Sequence, residues 1–367
     1  MPRPRRTRPP VVPAVALPLA LLFALWTWPS AAAPTANVPA PNVPSPAVAA
    51  PSVTGQVLGS GGVPLAGVTV RFAPLASAYG VESALWEGRE PEPPLAEGRT
   101  DVAGRFAWEG MPGMFRVTVL AEGFVPMTFP VLPLVDDLAL PPVVLHPAET
   151  ARVETVDAAG RPLRGIGVMA RSADRSLFEQ PEKSAWRPAP RRGWTDAAGV
   201  LDLVRGRGER LDLFAHAPGS PTPVEALGVR RARLVVGAPG SSTPLRLRGD
   251  AGGAAAGVVA AVPGTGWPVA RLDGGTELDL ASAGELLLVA GDGRRLRVDL
   301  SAAPGPIALP EPATVVGVVR SLGEDPSTPL AGALVWPSHD PGAAVLTDGE
   351  GRFRLRAGVG DRFRIQA

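Results

Sequence analysis

Apolar and polar residues alternate along short segments through most of the chain after residue 52. Clear examples are Val68–Phe72, Phe115–Val119 and Phe353–Arg356. Alternation with a period of two predicts antiparallel strands that bury one face and leave the other in water. Beyond the N-terminal segment no stretch combines helical periodicity with capping residues. We therefore expect almost no helix.

A series of strands and turns occurs three times along the chain. Each copy has a short strand, a Pro-Leu-x-Gly turn, a second strand and a Thr-Asp-x-x-Gly turn that leads into further strands. Proline presets the backbone of a turn, and glycine supplies the positive φ angles that tight reversals need. The first strands are Val53–Val57, Arg152–Val156 and Val315–Val319, the Pro-Leu turns Pro64–Gly67, Pro162–Gly165 and Pro329–Gly332, and the Thr-Asp turns Thr100–Gly104, Thr195–Gly199 and Thr347–Gly351. Self-similarity at this spacing predicts tandem small β-domains.

With these motifs the chain resembles the carboxypeptidase regulatory-like repeat. The resemblance is good over residues 52–146 and 313–367, fair over 150–248 and poor over 249–312, where no Thr-Asp-x-x-Gly turn occurs. It implies Greek-key sandwiches of seven or eight strands, similar to transthyretin and to starch-binding modules. The expected fold class is thus all-β, with tandem Greek-key sandwiches of the prealbumin or immunoglobulin type.

The motif spacing divides the chain into six segments. We expect a signal peptide at 1–33, a linker rich in proline and alanine at 34–51, and sandwiches at 52–148 and 149–248. A degenerate β-domain would occupy 249–312, and its small size predicts that it leans on its neighbours. The last sandwich, 313–367, lacks counterparts of the closing strands of the first repeat. We therefore expect it to be truncated and the chain to be a fragment of a longer protein.

The N-terminal segment predicts export. Arginines at positions 3, 5, 6 and 8 precede an apolar run from Val11 to Trp28, and small residues follow at Ala31–Ala33. This is the pattern of a secretory signal, with a membrane anchor as the alternative if the segment is not cleaved. The expected location is the periplasm, the outer surface of a bacterium or the extracellular space. The chain has no cysteine, which excludes disulfides and thiolate chemistry.

Charge and histidine content argue against several functions. The net charge is +1 with acids and bases interspersed, so we expect no nucleic-acid partner. The pair His146 and Glu149, with His216 downstream, has the order of a zinc constellation. However, His146 ends a predicted strand and Pro147 begins a linker. The metallocarboxypeptidases that have this constellation resemble a mixed α/β fold, which the sequence does not indicate. We expect no metal, no cofactor and no catalytic residues, and hence no enzyme.

Aromatic residues in two long inserts are the candidate binding residues. The first insert, residues 73–98, carries Tyr79 and Trp86, and the second insert, residues 171–193, carries Phe178 and Trp186. Flat rings on loops of a rigid scaffold can stack on sugars or on partner side chains. The alternative is that each tryptophan folds back to cover the open end of its own sandwich. Trp108, Trp267 and Trp336 lie in or beside predicted strands and are expected in cores.

These patterns lead to one main functional prediction and two alternatives. The main prediction is a secreted, non-catalytic β-sandwich protein of the cell envelope or extracellular space that acts in binding, spacing or adhesion. Its expected partner is a polysaccharide or an envelope protein. One alternative is an array of carbohydrate-binding modules. The other is the accessory N-terminal region of a larger metallopeptidase or outer-membrane transporter.

Overall fold

The structure is a computed structural model, and it confirms an all-β chain of tandem sandwiches. From Ala49 to Ala367 the chain forms one compact unit. The structure describes residues 50–174, 178, 180, 185–220, 222–237, 242–248, 257–272, 277–281, 284–301, 306–311, 313–321, 328–357 and 362–366. The signal segment and nearly all of the proline-rich linker lie outside these residues.

The first sandwich packs two sheets around a core of valine, leucine and phenylalanine. One sheet contains β1 (Ser52–Gly59), β4 (Arg105–Glu109), β7 (Leu138–Ala139) and β8 (Val143–Leu145). The other contains β2 (Thr69–Pro74), β3 (Ala96–Arg99), β5 (Gly113–Leu120) and β6 (Met127–Leu134). The predicted alternation is observed, since Val117 and Val119 are fully buried while Thr118 between them faces outward. Trp108 stacks on Phe72 at 4.5 Å within this core.

The second sandwich repeats this arrangement. Its first sheet contains β9 (Ala148–Val156), β13 (Val200–Gly206) and β16 (Ala232–Val235). Its second contains β10 (Gly167–Ser172), β12 (Arg191–Trp194), β14 (Leu211–His216) and β15 (Val224–Val229). A further strand from this repeat, β11 (Arg187–Pro188), joins the first sandwich instead.

The third sandwich is more complete than its sequence suggests. It contains β17 (Ser242–Arg248), β20 (Glu277–Ala281) and β23 (Ile307–Ala308) in one sheet, and β18 (Val258–Val262), β19 (Trp267–Leu272), β21 (Glu285–Ala290) and β22 (Arg295–Asp299) in the other. The boundary set at residue 248 therefore needs correction. Strand β17 pairs with β20 and β23, and Leu245 and Leu247 belong to the third core, so this strand opens the third sandwich.

The fourth sandwich has two small sheets. They consist of β24 (Ala313–Val318) with β27 (Arg352–Ala357), and β25 (Leu334–Pro337) with β26 (Val345–Leu346) and β28 (Phe363–Gln366). In the other three sandwiches the first strand also pairs in parallel with a late strand. Among the described residues β24 has no such neighbour, and Val316 is 70% exposed. That the repeat is truncated stays a prediction.

The Thr-Asp-x-x-Gly motif has the same geometry in all three copies. In the first copy, the Thr100 hydroxyl donates to the carbonyl of Leu65 at 2.6 Å and accepts from the amide of Val68 at 3.0 Å. The Asp101 carboxylate accepts from the amides of residues 103 and 105. Gly104 has a φ of 70°, and a side chain there would collide with the Val57 carbonyl. The Thr and Asp side chains of the second and third copies make the same bonds. The predicted turn chemistry is confirmed, because these side chains satisfy backbone groups of the turns and the glycine supplies the positive φ angle.

Candidate interaction site formed by the two inserts

The middle of the second insert lies on the first sandwich, as its described residues Phe178, Gln180 and 186–189 show. Trp186 is 3% exposed and Phe178 is 6% exposed, and both belong to the core of the first sandwich. The Trp186 indole donates to the carbonyl of Pro141 at 2.8 Å, and its ring meets Phe129 edge-to-face at 5.4 Å. The idea that each tryptophan covers its own sandwich is therefore incorrect for Trp186.

Two edges of the first sandwich are covered by this insert. Strand β11 pairs antiparallel with β6, and the amide of Ala189 donates to the carbonyl of Pro126 at 2.8 Å. On the opposite sheet, the Gln180 side chain accepts from the amide of Val144 at 2.8 Å and donates to its carbonyl at 3.2 Å. Unpaired edges invite aggregation, so this cover protects the first sandwich.

The first insert contains a helix that the sequence did not indicate. Helix α1 (Ala78–Trp86) begins after Ser77, whose hydroxyl accepts from the amide of Gly80 at 3.2 Å. The helix packs on β18, β19 and β21 of the third sandwich. An ion pair between Glu87 and Arg271 joins its C-terminal end to β19. Because helical spacing is weak over nine residues, tertiary contacts must stabilise this helix.

The fourth sandwich caps the same helix. Asp340 accepts from the amide of Ala78 at 3.1 Å, which places a carboxylate at the helix N-terminus. A side chain at Gly342 would overlap the backbone of Ala76 and Ser77, so the two segments meet at close range. Trp336 and Leu334 form a shared cluster with Met114 of the first sandwich. The first sandwich thus contacts each of the other three.

Burial shifts the pKa of two acids at this helix. The carboxyl of Glu82 is buried on α1, and burial raises its pKa to about 8, against the opposing effect of Arg295. Burial also raises the pKa of Asp340. Glu82 is therefore largely neutral near pH 7, which allows an acid to sit in this junction without a buried charge.

The four candidate rings have different environments. Trp86 is 36% exposed and Tyr79 is half-buried, beside a cavity of about 290 Å³ that Asp340 and Arg354 also line. Phe178 and Trp186 have no free ring face in this arrangement. A ligand-binding role for all four residues stays a prediction, and burial makes the two rings of the second insert the weaker candidates.

The histidines of the suggested zinc constellation are separated by packing. His146 meets Phe178 edge-to-face at 5.3 Å, and burial lowers its pKa. His216 is 1% exposed and stacks on Trp267 at 5.7 Å, and burial lowers its pKa to about 4. Within the described residues no three His, Cys, Asp or Glu side chains form a group that could hold a metal ion.

Trp267 joins the second and third sandwiches. Its ring also meets Trp194 at 5.0 Å, and a side chain at Gly167 would overlap it. Trp194 and Met169 of the second sandwich pack against the third core. The third sandwich therefore packs on its neighbour, in the way that the small size of the segment predicts. Trp267 and Trp336 are buried as expected for core residues.

Comparison with known proteins assigns the chain to no family. No family model matches it, and no curated protein does so. Among solved structures, the shaft pilin SpaA from Lactobacillus rhamnosus GG matches with 12% identity and a TM-score of 0.22, covering 52% of this chain and 98% of the pilin. A minor pilin of Streptococcus agalactiae matches with 13% identity and a TM-score of 0.20, covering 51% of this chain and 94% of that pilin. A streptococcal ancillary pilin matches with 12% identity and a TM-score of 0.20, covering 85% of this chain and 99% of that pilin.

No helix in the described part of the chain has the length and apolar character of a membrane span.

Proposed function

We propose that this chain is a secreted, non-catalytic β-sandwich protein that acts in binding or adhesion at a bacterial cell envelope. The observation that carries the proposal is the locking of neighbouring sandwiches by the two inserts. Trp186 of the second repeat completes the first core, and α1 of the first repeat lies on the third and fourth sandwiches. Such locks keep surface loops in fixed relative positions, which multipoint binding requires.

Spacing is the weaker part of the proposal for the sandwiches. A spacer gains reach when its domains touch only their sequence neighbours, whereas here the first sandwich also packs against the third and the fourth. The role of a spacer fits the sequence of segment 34–51 better, because proline-rich sequences are typical of semi-rigid linkers. Membership of the carboxypeptidase regulatory-like family remains a proposal, which the shared geometry of the Thr-Asp-x-x-Gly turns supports.

Distance measurements between spin labels test the locked arrangement. The chain has no cysteine, so the double variant Val102→Cys with Glu350→Cys carries labels only in the first and fourth sandwiches. We expect a narrow distance distribution, comparable in width to that of the control Val102→Cys with Met111→Cys, whose labels both lie on the first sandwich. A broad distribution for the first pair alone would show independent domains and refute the proposal.

Polysaccharide binding is a second candidate, favoured by the exposure of Trp86. An exposed indole can stack on a sugar face, and this one ends a helix that two other sandwiches hold in place. Retention on insoluble polysaccharide should fall in Trp86→Ala. Equal retention of wild type and variant would exclude this ring as the binding residue.

An accessory role beside a larger metallopeptidase or outer-membrane transporter is the remaining candidate. It rests on the family resemblance alone. Peptidase activity of this chain that a chelator abolishes would contradict the non-catalytic assignment.

A further inference from the structure

A cavity of about 430 Å³ lies where the first three sandwiches meet. Its floor is the outer face of the β2–β5 pair, where Arg71 lies opposite Thr118 and Ala73 opposite Arg116. The second half of the first insert forms one wall, and β12 of the second sandwich forms another. This volume is within the range of small-molecule binding sites.

Positive charge is in excess among the buried residues that line this cavity. Arg116 forms an ion pair with Glu92, whose carboxylate also accepts from the amide of Ala76 at 3.3 Å. Arg192 lines the same space and has no ion-pair partner among the described residues. The other acid of the lining, Glu90, is exposed to solvent. Two guanidinium groups therefore share one buried carboxylate.

The electrostatic environment of Arg192 agrees with this imbalance. Burial lowers its pKa, and the charge of Arg116 lowers it further, while Glu92 opposes both effects. Arg187, on the adjacent strand β11, has a pKa that is lowered by burial and by Arg116 in the same way. A desolvated guanidinium beside a like charge gains free energy when an anion enters.

Outer arginines of the cavity contribute less to its electrostatics. Arg71 forms an ion pair with Glu97 at 2.8 Å, and Arg89 forms one with Glu87, which also pairs with Arg271. The side chains of Arg71 and Arg89 are more exposed than that of Arg116, so solvent screens their charges. The desolvated positive charge belongs to the inner pair, Arg116 and Arg192.

An aromatic wall lies beside the inner arginines. Trp194 follows Arg192 by two residues on β12, so both side chains project from the same face of that strand. Trp194 is half-buried and meets Trp267 edge-to-face, and both rings line the cavity. An occupant can therefore place an anionic group at the arginines and a ring or apolar body against the indoles.

We propose that this cavity binds a small cyclic carboxylate. Its carboxylate lies between Arg192 and Arg116, because a guanidinium presents two parallel donors that match the two oxygens of a carboxylate. Its ring lies against Trp194. The inserts build the site, since residues of the first insert and of β12 both line it. No single sandwich contains all of these groups.

Calorimetric titration of the secreted protein with sodium benzoate tests the proposal, with benzamide as the neutral isostere. We expect measurable benzoate binding and at least about tenfold weaker benzamide binding. Inorganic phosphate, offered as a competitor, should not displace benzoate at equal concentration. Equal binding of benzoate and benzamide would overturn the proposal. Displacement by phosphate would also overturn it, because the site would then select anions without regard to the ring.

Substitution of Arg192 locates the site. Arg192→Gln should weaken benzoate binding at least about tenfold, and Arg192→Lys should restore only part of it, because lysine keeps the charge and loses the paired donors. The matched control is Arg71→Gln, which removes a paired arginine at the outer edge and should change affinity less than about twofold. Unchanged binding in a folded Arg192→Gln protein would place benzoate elsewhere and refute the assignment.

Discussion

Truncation of Trp186 tests whether the second insert holds the first sandwich together. A buried tryptophan covers about 150–250 Å² of surface. At about 25 cal/mol per Å² this corresponds to about 4–6 kcal/mol of transfer free energy. Partial collapse of the insert into the space recovers some of it, and large aromatic-to-alanine changes in cores typically cost about 3–5 kcal/mol. The lost bond to the Pro141 carbonyl adds about 1 kcal/mol. We expect Trp186→Ala to lower the free energy of unfolding by about 4 kcal/mol.

The location of the loss distinguishes this mechanism from an ordinary core truncation. Trp186 belongs to the second repeat by sequence, yet it packs against Phe129 on β6 and bonds to a residue just before β8. Hydrogen exchange followed by mass spectrometry should therefore show faster exchange in β6 and β8 of the variant. Trp86→Ala is the matched control, since that ring is partly in solvent, and it should cost about 1 kcal/mol or less.

Two results would contradict this reasoning. Faster exchange confined to β10 and β14 would show that Trp186 supports its own sandwich. A loss of less than about 1 kcal/mol, equal to that of Trp86→Ala, would show that the second insert is not docked in solution.

Other predictions concern the remaining junctions. Because the pKa of His216 is lowered to about 4 from an ordinary 6.5, the folded state binds fewer protons than the unfolded state between these values. Stability contributed by neutral His216 is complete above pH 6.5 and falls by about 2 kcal/mol between pH 7 and pH 5. His216→Phe should remove this part of the pH dependence of the unfolding free energy, measured by chemical denaturation. If the free energies of wild type and variant fall in parallel between pH 7 and pH 5, the assignment to His216 is refuted. Gly342→Ala should destabilise the protein by about 1–3 kcal/mol and speed exchange in α1, because the added methyl group meets backbone. Its control, Gly98→Ala, meets no atom within 4 Å, and an equal effect of the two would contradict the close approach.

Local chemistry explains which features the sequence could predict. Asp101 binds amides of its own turn, and Thr100 and Gly104 contact the Pro-Leu turn of the same repeat, so the repeated pair of motifs identifies their roles. Alternating burial likewise depends only on neighbouring residues of one strand. The helix α1 was missed because nine residues with weak periodicity become helical only when Asp340 and the third sandwich hold them. Strand β17 was placed in the wrong repeat because it carries no turn motif.

The sequence by itself determined the strands, the turns and the tandem sandwich architecture, since these depend on side-chain alternation and on backbone conformations that proline, glycine and aspartate favour. Only the tertiary structure decided where the inserts dock. Burial of Trp186 in a neighbouring core depends on the matching shapes of surfaces that are distant in the chain, and no local pattern records that match. The cavity around Arg192 exists for the same reason, because three sandwiches must meet before its charges and rings share one space.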